Sequence, residues 1–386
     1  MFIDAPHPLT GLKVVERAGC VAAAYAGRLL SVLGAEVTMI EGPGGSALRQ
    51  ESPFLARAPG LSSVFEYIAA GKKSVICDIS TQEGRSALGD FLVYSDVLID
   101  DTSIWQPSEF AIEPDSITMR YPNLVYVSVL PFGATGPKTN WKAHEINLFH
   151  ASGEGNMLPN GLSVELFPER PPLKIYGHFA SMQAGVVAAL GALSALWARP
   201  QLGGQFVDIS IQDSALAVGA FAVQRYGDGC IEDRRTRSFR YGGVLECLDG
   251  YVELLTLEQR QWDGLIELMG KPAWAMDKAL ADPLERGRRG SEINVQIRTW
   301  AKGQRAADLV SRGQALGVPM AKYNSPSEVL AEPQSRSRRL FSQVEIDSLG
   351  DCDLLSAPFQ FDGAALDIQS GAPRLGQHGN LVPCGR

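Results

Sequence analysis

Short apolar runs alternate with amphipathic segments along the first half of the chain. The runs are nearly continuous in Val, Ile and Leu, which is typical of strands covered on both faces of a sheet. Apolar residues at helical spacing, with Thr81 as an N-cap, predict helices at 21–33 and 81–94. The alternation predicts an α/β fold with a doubly wound parallel sheet. The predicted strands are 12–16, 36–41, 74–78, 97–100, 124–129 and 206–210.

A longer helix is predicted at 182–199. Small residues on one of its faces would let another element approach closely; they are Gly185, Ala188, Ala192 and Ala195. Its apolar part, 184–198, is shorter than the roughly 18 residues of a membrane span, which favours a buried helix. The N-terminus lacks the basic-then-apolar layout of a signal peptide. We therefore expect a cytoplasmic protein without a membrane partner.

The pattern changes after about residue 227, where charged residues become dense. A strand-like alternation at 251–255 is followed by helical, charged segments at 259–269, 291–300 and 306–315. We predict a smaller second domain over 228–325. Beyond it, Ser325 has the signature of an N-cap, and a charged helix ending near Arg339 leads into a strand-like tail.

Composition and charge narrow the functional classes. Hydrophobic residues make up 45% of the chain and charged residues 20%, as in globular proteins with a large core. The formal net charge of -8 argues against nucleic acid as a partner. The six Cys are scattered and no pair has metal-binding spacing, so we predict neither a metal site nor a disulfide framework.

The candidate chemistry is concentrated between Trp141 and Gly185. Lys142, His144 and Glu145 fall within four positions, just after a turn rich in Gly and Pro. On a loop, the carboxylate of Glu145 could tune the imidazole of His144 for general acid/base catalysis, although a lone His is more often structural. The pair lacks the second His of an H-E-x-x-H motif, which argues against a zinc site.

Two other segments are candidates for binding a phosphate-bearing ligand. Gly44 and Gly45 lie in a loop after the second predicted strand, and α/β folds bind ligands at the carboxyl ends of their strands. Lys72 and Lys73 stand just before the third strand, and Lys pairs well with phosphate. The alternatives are a plain turn and solvated lysines, since no G-x-G-x-x-G follows the first strand.

The order and spacing of several motifs resemble the class III CoA-transferase family, the CaiB/BaiF group, which also contains the α-methylacyl-CoA racemases. The resemblance covers nearly the whole chain. The motifs are LTGLKVVE (9–16), LLSVLGAEV (29–37), IEGPGG (40–45), GKKSV (71–75), PNLVYVS (122–128), FGATGP (132–137), GQFVDISIQD (204–213), DGY (249–251), QW (261–262) and GVP (317–319).

The resemblance implies a fold and a ligand. Family members pair as interlocked dimers, in which a large doubly wound, Rossmann-like domain is built from both chain termini. The expectation is a large domain from 1–227 and 326–386, a smaller α+β domain at 228–325 between them, and a homodimer. The family's substrates are acyl-CoA thioesters and carboxylic acids. Because CoA is a polyphosphate, its expected contacts are Lys72, Lys73, Lys142, Gly44 and Gly45.

The resemblance also assigns the catalytic positions. In the transferases, an Asp four residues before the first Gly of the small-residue helix attacks the thioester; here that position is Ser181. In the racemases, the same Asp works with a His in a motif that Ala143–Leu148 resembles, so His144 is retained. The CoA-contacting Asn-Phe-Arg stretch of the family is replaced by Asp100–Ser103.

Three hypotheses follow from these positions. The first is transfer of CoA between a thioester and a carboxylate, with Glu145 or another carboxylate as nucleophile. The second is a one-base epimerase, isomerase or lyase that acts on an acyl thioester through His144. The third is a non-catalytic family member that serves as a partner subunit or binding protein. The catalytic candidates are therefore His144, Glu145 and Ser181.

Overall fold

The computed structural model describes residues 7–103, 113–219, 223, 229, 241–347 and 349–379. Its described residues divide into two units. The first unit takes in the described parts of Met1–Gly155, Lys174–Ala220 and Pro333–Arg386. The second takes in those of Asn156–Leu173, a segment the sequence prediction gave to the large domain, and of Phe221–Glu332. The predicted boundary at 227/228 lies outside the described residues, as do Cys230 and Cys384.

The strands alternate with helices along most of the first unit. In chain order the described strands are β1 (Lys13–Arg17), β2 (Glu36–Glu41), β3 (Phe54–Leu55), β4 (Ala58–Ser62), β5 (Lys73–Ile76), β6 (Val97–Asp100), β7 (Val125–Leu130), β8 (Phe206–Ser210), β9 (Gly243–Cys247), β10 (Gly250–Leu254), β11 (Met320–Lys322), β12 (Phe341–Ile346), β13 (Gly350–Leu355), β14 (Gln360–Phe361) and β15 (Ala364–Ala365).

The described helices vary in length. They are α1 (Val21–Val32), α2 (Ser63–Ala69), α3 (Gln82–Val93), α4 (Pro114–Arg120), α5 (Glu145–Ala151), α6 (Leu162–Leu166), α7 (Phe179–Leu202), α8 (Ile211–Gly219), α9 (Gln259–Leu268), α10 (Pro283–Arg288), α11 (Gly290–Ala301), α12 (Ala306–Ala315), α13 (Pro326–Ala331) and α14 (Pro333–Ser337).

One parallel sheet forms the centre of the first unit, in the order β5-β2-β1-β6-β7-β8. This is the order of doubly wound dinucleotide-binding folds, in which the direction of winding reverses between the first and fourth strands of the sheet. β6 and β7 are buried along their whole length, as expected for strands covered on both faces. The predicted α/β fold with a parallel sheet is confirmed.

The helix α7 packs against α1 through its small residues. A Cβ at Gly185 would lie 2.8 Å from the carbonyl oxygen of Ala22 and 2.9 Å from the Cβ of Tyr25, so only Gly permits this approach. Of the described helices, α7 has the length and apolar composition of a membrane span, and 44% of that window is buried inside the protein. Core helices have the same properties, and the predicted close packing is confirmed.

The second unit contains a three-stranded antiparallel sheet in the order β11-β10-β9. Its core combines residues from the sheet with residues from α9, α11 and α12. Leu245 and Val252 of the sheet, Leu265 of α9 and Ile297 of α11 are fully buried there. This unit therefore has a hydrophobic core of its own.

Two segments differ from the sequence prediction. The charged helix expected after Ser325 is two short helices, α13 and α14, because Pro333 cannot donate a backbone hydrogen bond inside a helix. The loop expected at His144 and Glu145 is wrong, because α5 begins at Glu145 and has His144 as its N-cap. The short length of α5 and its adjacent Gly turn masked its helical period.

Candidate active site

Glu145 and Ser181 are joined by a hydrogen bond in the folded chain. The Oγ of Ser181 donates to Oε2 of Glu145 at 2.7 Å, and the N–H of Ser181 donates to the same oxygen at 3.0 Å. The N–H of Ala180 donates to Oε1 at 2.9 Å. The carboxylate of Glu145 therefore lies at the N-terminus of α7 and accepts a hydrogen bond at each oxygen.

The contacts between α5 and α7 determine where this carboxylate lies. Oδ1 of Asn147 accepts a hydrogen bond from the N–H of His144 at 2.9 Å, which closes the first turn of α5. Phe149 of α5 is fully buried, and its ring meets that of Phe179 edge-on, with centroids 6.1 Å apart. These contacts hold the first turns of the two helices together.

The N-terminus of α7 is a favourable place for a negative charge. The first N–H groups of a helix have no partner within the helix, and the helix dipole stabilises an anion beside them. Ser181 is buried, at 8% exposure, whereas Glu145 is partly exposed. A carboxylate that is held in this way can act as a nucleophile on a carbonyl carbon, and it carries the charge that the hydroxyl of Ser181 lacks.

His144 and Lys142 lie on the chain segment that leads into α5, and both are exposed. The structure thus brings Glu145 and Ser181 into contact and leaves the imidazole of His144 on the adjacent surface. Lys142 stands three residues before Glu145, so its ammonium group is accessible to a ligand that approaches this surface.

A second carboxylate near the start of α7 was not singled out from the sequence. Glu154 is partly buried, which raises the pKa of its carboxyl, and it forms a hydrogen bond with the side chain of Gln183. A Cβ at Gly219 would lie 1.4 Å from Oε1 of Glu154, so this Gly makes room for the carboxylate. The signal in the sequence was the position of Glu154 between two glycines.

Lys72 does not fit the expected role of a phosphate ligand. It is 2% exposed, and its ammonium group lies 2.6 Å from Oε2 of Glu16 and 2.8 Å from the carbonyl oxygen of Ala24. Burial lowers the pKa of Lys72 and raises the pKa of Glu16. This ammonium group is a structural partner of a buried carboxylate and has no open path to a ligand.

Lys73 and the two glycines lie at opposite edges of the sheet. Lys73 begins β5 and forms an ion pair of 2.8 Å with Glu36, which begins β2. Gly44 and Gly45 follow the carboxyl end of β2, and the N–H of Gly45 donates to the carbonyl of Gly42 at 2.9 Å. One phosphate group cannot contact both segments, because β2 separates them by about 17–20 Å.

The N-terminus of α7 lies toward the same edge of the sheet as Gly44 and Gly45. The helix belongs to the connection between the parallel strands β7 and β8, and such helices run antiparallel to the strands. Ligands of doubly wound sheets bind at this carboxyl edge. Gly44, Gly45 and the Glu145–Ser181 pair are therefore placed at the edge where a ligand is expected, and Lys73 is not.

The carboxyl ends of β1 and β6 carry further charged groups. Arg17 at the end of β1 and Asp100 at the end of β6 form an ion pair of 2.7 Å, and both are buried. Oδ2 of Asp101 accepts hydrogen bonds from the N–H groups of Gly19 and Cys20, at 2.8 and 2.5 Å. Burial, followed by the charge of Asp100, raises the pKa of Asp101 to about 6.

The raised pKa of Asp101 predicts a pH-dependent difference between the wild type and an Asp101→Asn variant. The folded protein holds this proton more tightly than the unfolded chain, so the contribution of Asp101 to stability is present below about pH 4 and is lost as the pH rises to about 6. The variant should gain up to about 3 kcal/mol relative to the wild type across that range. Urea unfolding at several pH values measures this gain, and parallel pH profiles would contradict it.

Comparison with known sequences and structures places this geometry in context. The profile of CoA-transferase family III matches residues 9–379. The chain belongs to CoA-transferase family III. The resemblance seen in the sequence motifs is thereby confirmed, and Ser181 stands at the position for which that resemblance implied an Asp.

Relatives of this family III chain span nearly its whole length. The succinyl-CoA–D-citramalate CoA-transferase of Chloroflexus aurantiacus is 27% identical over 384 residues, covering 98% of this chain and 93% of that protein. The formyl-CoA:oxalate CoA-transferase of Streptomyces avermitilis is 26% identical over 400 residues, covering 98% and 95%. A crystal structure of a CaiB/BaiF family protein from Brucella suis matches with a TM-score of 0.84 and 27% identity, covering 97% of this chain and 98% of that one.

Proposed function

We propose that this family III protein moves CoA between an acyl thioester and a carboxylic acid, with Glu145 as the nucleophile. The observation that carries the proposal is the carboxylate of Glu145, held by Ala180 and Ser181 at the N-terminus of α7. Named relatives transfer CoA between acids such as succinate, citramalate, formate and oxalate. Their shared reaction class supports a carboxylate acceptor here.

The first step forms an anhydride. A carboxylate oxygen of Glu145 attacks the carbonyl carbon of the thioester, the C–S bond breaks, and CoA leaves as a thiolate. The thiolate then attacks the side-chain carbonyl of Glu145, and the first acid leaves as a carboxylate. The product is a glutamyl-CoA thioester, and the second acid reverses these steps to leave as the new acyl-CoA.

The start of α7 has a role in the second step. Negative charge develops on the carbonyl oxygen of Glu145 when the thiolate attacks, and the N–H groups of Ala180 and Ser181 already point at the carboxylate oxygens. Donors placed in this way stabilise an oxyanion. Ser181 is then a positioning residue, which orients the nucleophile through its hydroxyl group and its N–H group.

Lys142, Gly44 and Gly45 remain the proposed contacts for CoA. Lys142 is exposed three residues before Glu145, and the two glycines lie at the ligand-binding edge of the sheet. A cytoplasmic location fits substrates of this class. Lys72 is left out of the proposed contacts because its ammonium group is enclosed.

A transfer assay tests this function. The protein is incubated with succinyl-CoA and, separately, with each of a panel of mono- and dicarboxylic acids, and new thioesters are identified by mass spectrometry. We expect at least one acid to acquire CoA in proportion to enzyme and time. Absence of transfer, together with no change in melting temperature on addition of CoA or acyl-CoA, would favour the non-catalytic alternative.

The short bond between Ser181 and Glu145 supports a second candidate. Glu145 could accept the proton of Ser181 Oγ while that oxygen attacks the thioester, which would give a Ser ester and free CoA; water would then release the acid. This candidate predicts hydrolysis without an acceptor acid and full loss of activity in Ser181→Ala. Glu145 as the nucleophile predicts only partial loss, since two of its three hydrogen bonds come from backbone N–H groups.

We further propose that the protein acts as a homodimer. Opposite its buried small residues, α7 exposes Val186, Leu190 and Trp197, at 50%, 63% and 87% exposure, on one helix face. Leu190→Glu should place a charge in the middle of this face and convert a dimer into a monomer. Light scattering coupled to gel filtration measures the mass, and Val93→Glu, which alters another exposed apolar residue, should leave it unchanged. A wild-type monomer would contradict the proposal.

A further inference from the structure

The order of the parallel sheet singles out one crevice at its carboxyl edge. The winding of the sheet reverses between β1 and β6, and doubly wound folds bind the phosphate groups of nucleotides in the crevice at this point. The chain leaves β1 through Gly19 and Cys20 and enters α1, whose N-terminus faces the crevice. It leaves β6 through Asp100 and Asp101.

A side chain of the protein already occupies the anion-binding position in this crevice. Oδ2 of Asp101 accepts the hydrogen bonds of Gly19 and Cys20, the two N–H groups that precede α1. In phosphate-binding folds, these groups and the helix dipole hold a phosphate oxygen. The carboxylate of Asp101 makes the contacts that a phosphate group would make.

The neighbouring charges add to this effect. The guanidinium of Arg17 is paired with Asp100, whose Oδ1 also accepts the N–H of Thr102 at 2.8 Å. The positive charge of Arg17 is thus balanced by Asp100, and the charge of Asp101 is left over near neutral pH. A phosphate entering the crevice would meet a net negative group and would have to displace it.

We propose that Asp101 is a specificity-determining residue, which excludes phosphate groups from the crevice between β1 and β6. The nucleotide part of a CoA thioester then lies outside this crevice, and the protein recognises its substrate mainly through the pantetheine arm and the acyl group. This substrate preference rests on the proposed transfer of CoA. The exclusion of phosphate from the crevice does not, since it concerns binding alone.

Binding measurements at pH 7.5 test the exclusion. Calorimetric titrations use inorganic pyrophosphate, CoA and pantetheine with the wild type, Asp101→Asn and Asp101→Gly. Asn keeps a hydrogen-bond acceptor and removes the charge, whereas Gly empties the position. We expect both variants to bind pyrophosphate and CoA at least about tenfold more tightly than the wild type, with pantetheine unchanged.

The matched control is Asp115→Asn, which removes an exposed carboxylate from the first turn of α4 and should change no affinity. Equal affinity of the wild type and both variants for pyrophosphate, with unchanged circular dichroism, would overturn the proposal. So would a wild type that binds pyrophosphate as tightly as the variants. If the variants gain affinity but the wild type transfers no CoA, the exclusion stands and the proposed function fails.

A kinetic comparison tests the substrate preference. The wild type should use a pantetheine thioester with a kcat/KM within about tenfold of that for the matching CoA thioester, because few nucleotide contacts are lost. Asp101→Gly should widen this ratio in favour of CoA. A CoA thioester preferred by several orders of magnitude in the wild type would contradict the preference.

Discussion

Glu145→Gln should abolish CoA transfer and leave the fold intact. The amide keeps an oxygen that can accept the hydrogen bonds of the α7 N-terminus, but it is neutral, and it cannot form an anhydride that a thiolate reopens. We expect kcat to fall by about a thousandfold or more, as for the loss of other nucleophiles. Rates of thioester formation measure the effect, and the melting temperature should change little.

The control for this variant is Glu83→Gln. Glu83 also lies in the first turn of a helix, α3, and is exposed away from the pair at α7. Its replacement should leave both rate and stability unchanged. Activity retained in Glu145→Gln within a factor of ten would show that another group attacks the thioester.

Lys72→Met should destabilise the protein strongly although it touches no proposed substrate contact. The change leaves the carboxylate of Glu16 buried without its partner, and removing one member of a buried ion pair costs about 3–5 kcal/mol. The midpoint of urea unfolding, followed by circular dichroism, measures the loss.

The adjacent lysine provides the matched comparison. Lys73 forms an exposed pair with Glu36, and exposed pairs contribute about 0–1 kcal/mol, so Lys73→Met should have a small effect. The double variant Lys72→Met/Glu16→Gln should recover part of the loss, because no uncompensated charge remains. Similar losses for Lys72→Met and Lys73→Met would refute the assignment of Lys72 to the interior.

The apolar pattern of the sequence predicted most of the sheet. The bounds of β2, β6 and β8 agree with the predicted 36–41, 97–100 and 206–210, because continuous Val and Ile runs between polar turns admit few other structures. The small residues of α7 predicted its close contact with α1 for a similar reason. These features depend on neighbours in the sequence.

The candidate site depended on contacts that no local pattern contains. Glu145 and Ser181 are 36 residues apart, and only the packing of α5 on α7 brings the carboxylate to the helix N-terminus. The two lysines before β5 look alike in the sequence, yet the fold buries Lys72 and leaves Lys73 at the surface. Burial of a charged side chain is decided by a distant partner, here Glu16.

The most direct measurement is the identity of the residue that becomes acylated. The protein is incubated with an acyl-CoA, treated with hydroxylamine, and digested, and the peptides covering 141–185 are examined by mass spectrometry. Glu145 as the nucleophile predicts a hydroxamate on Glu145, present only when acyl-CoA was added and absent from Glu145→Gln. A trapped ester on Ser181, or peptides that remain unmodified while transfer proceeds, would contradict the central claim.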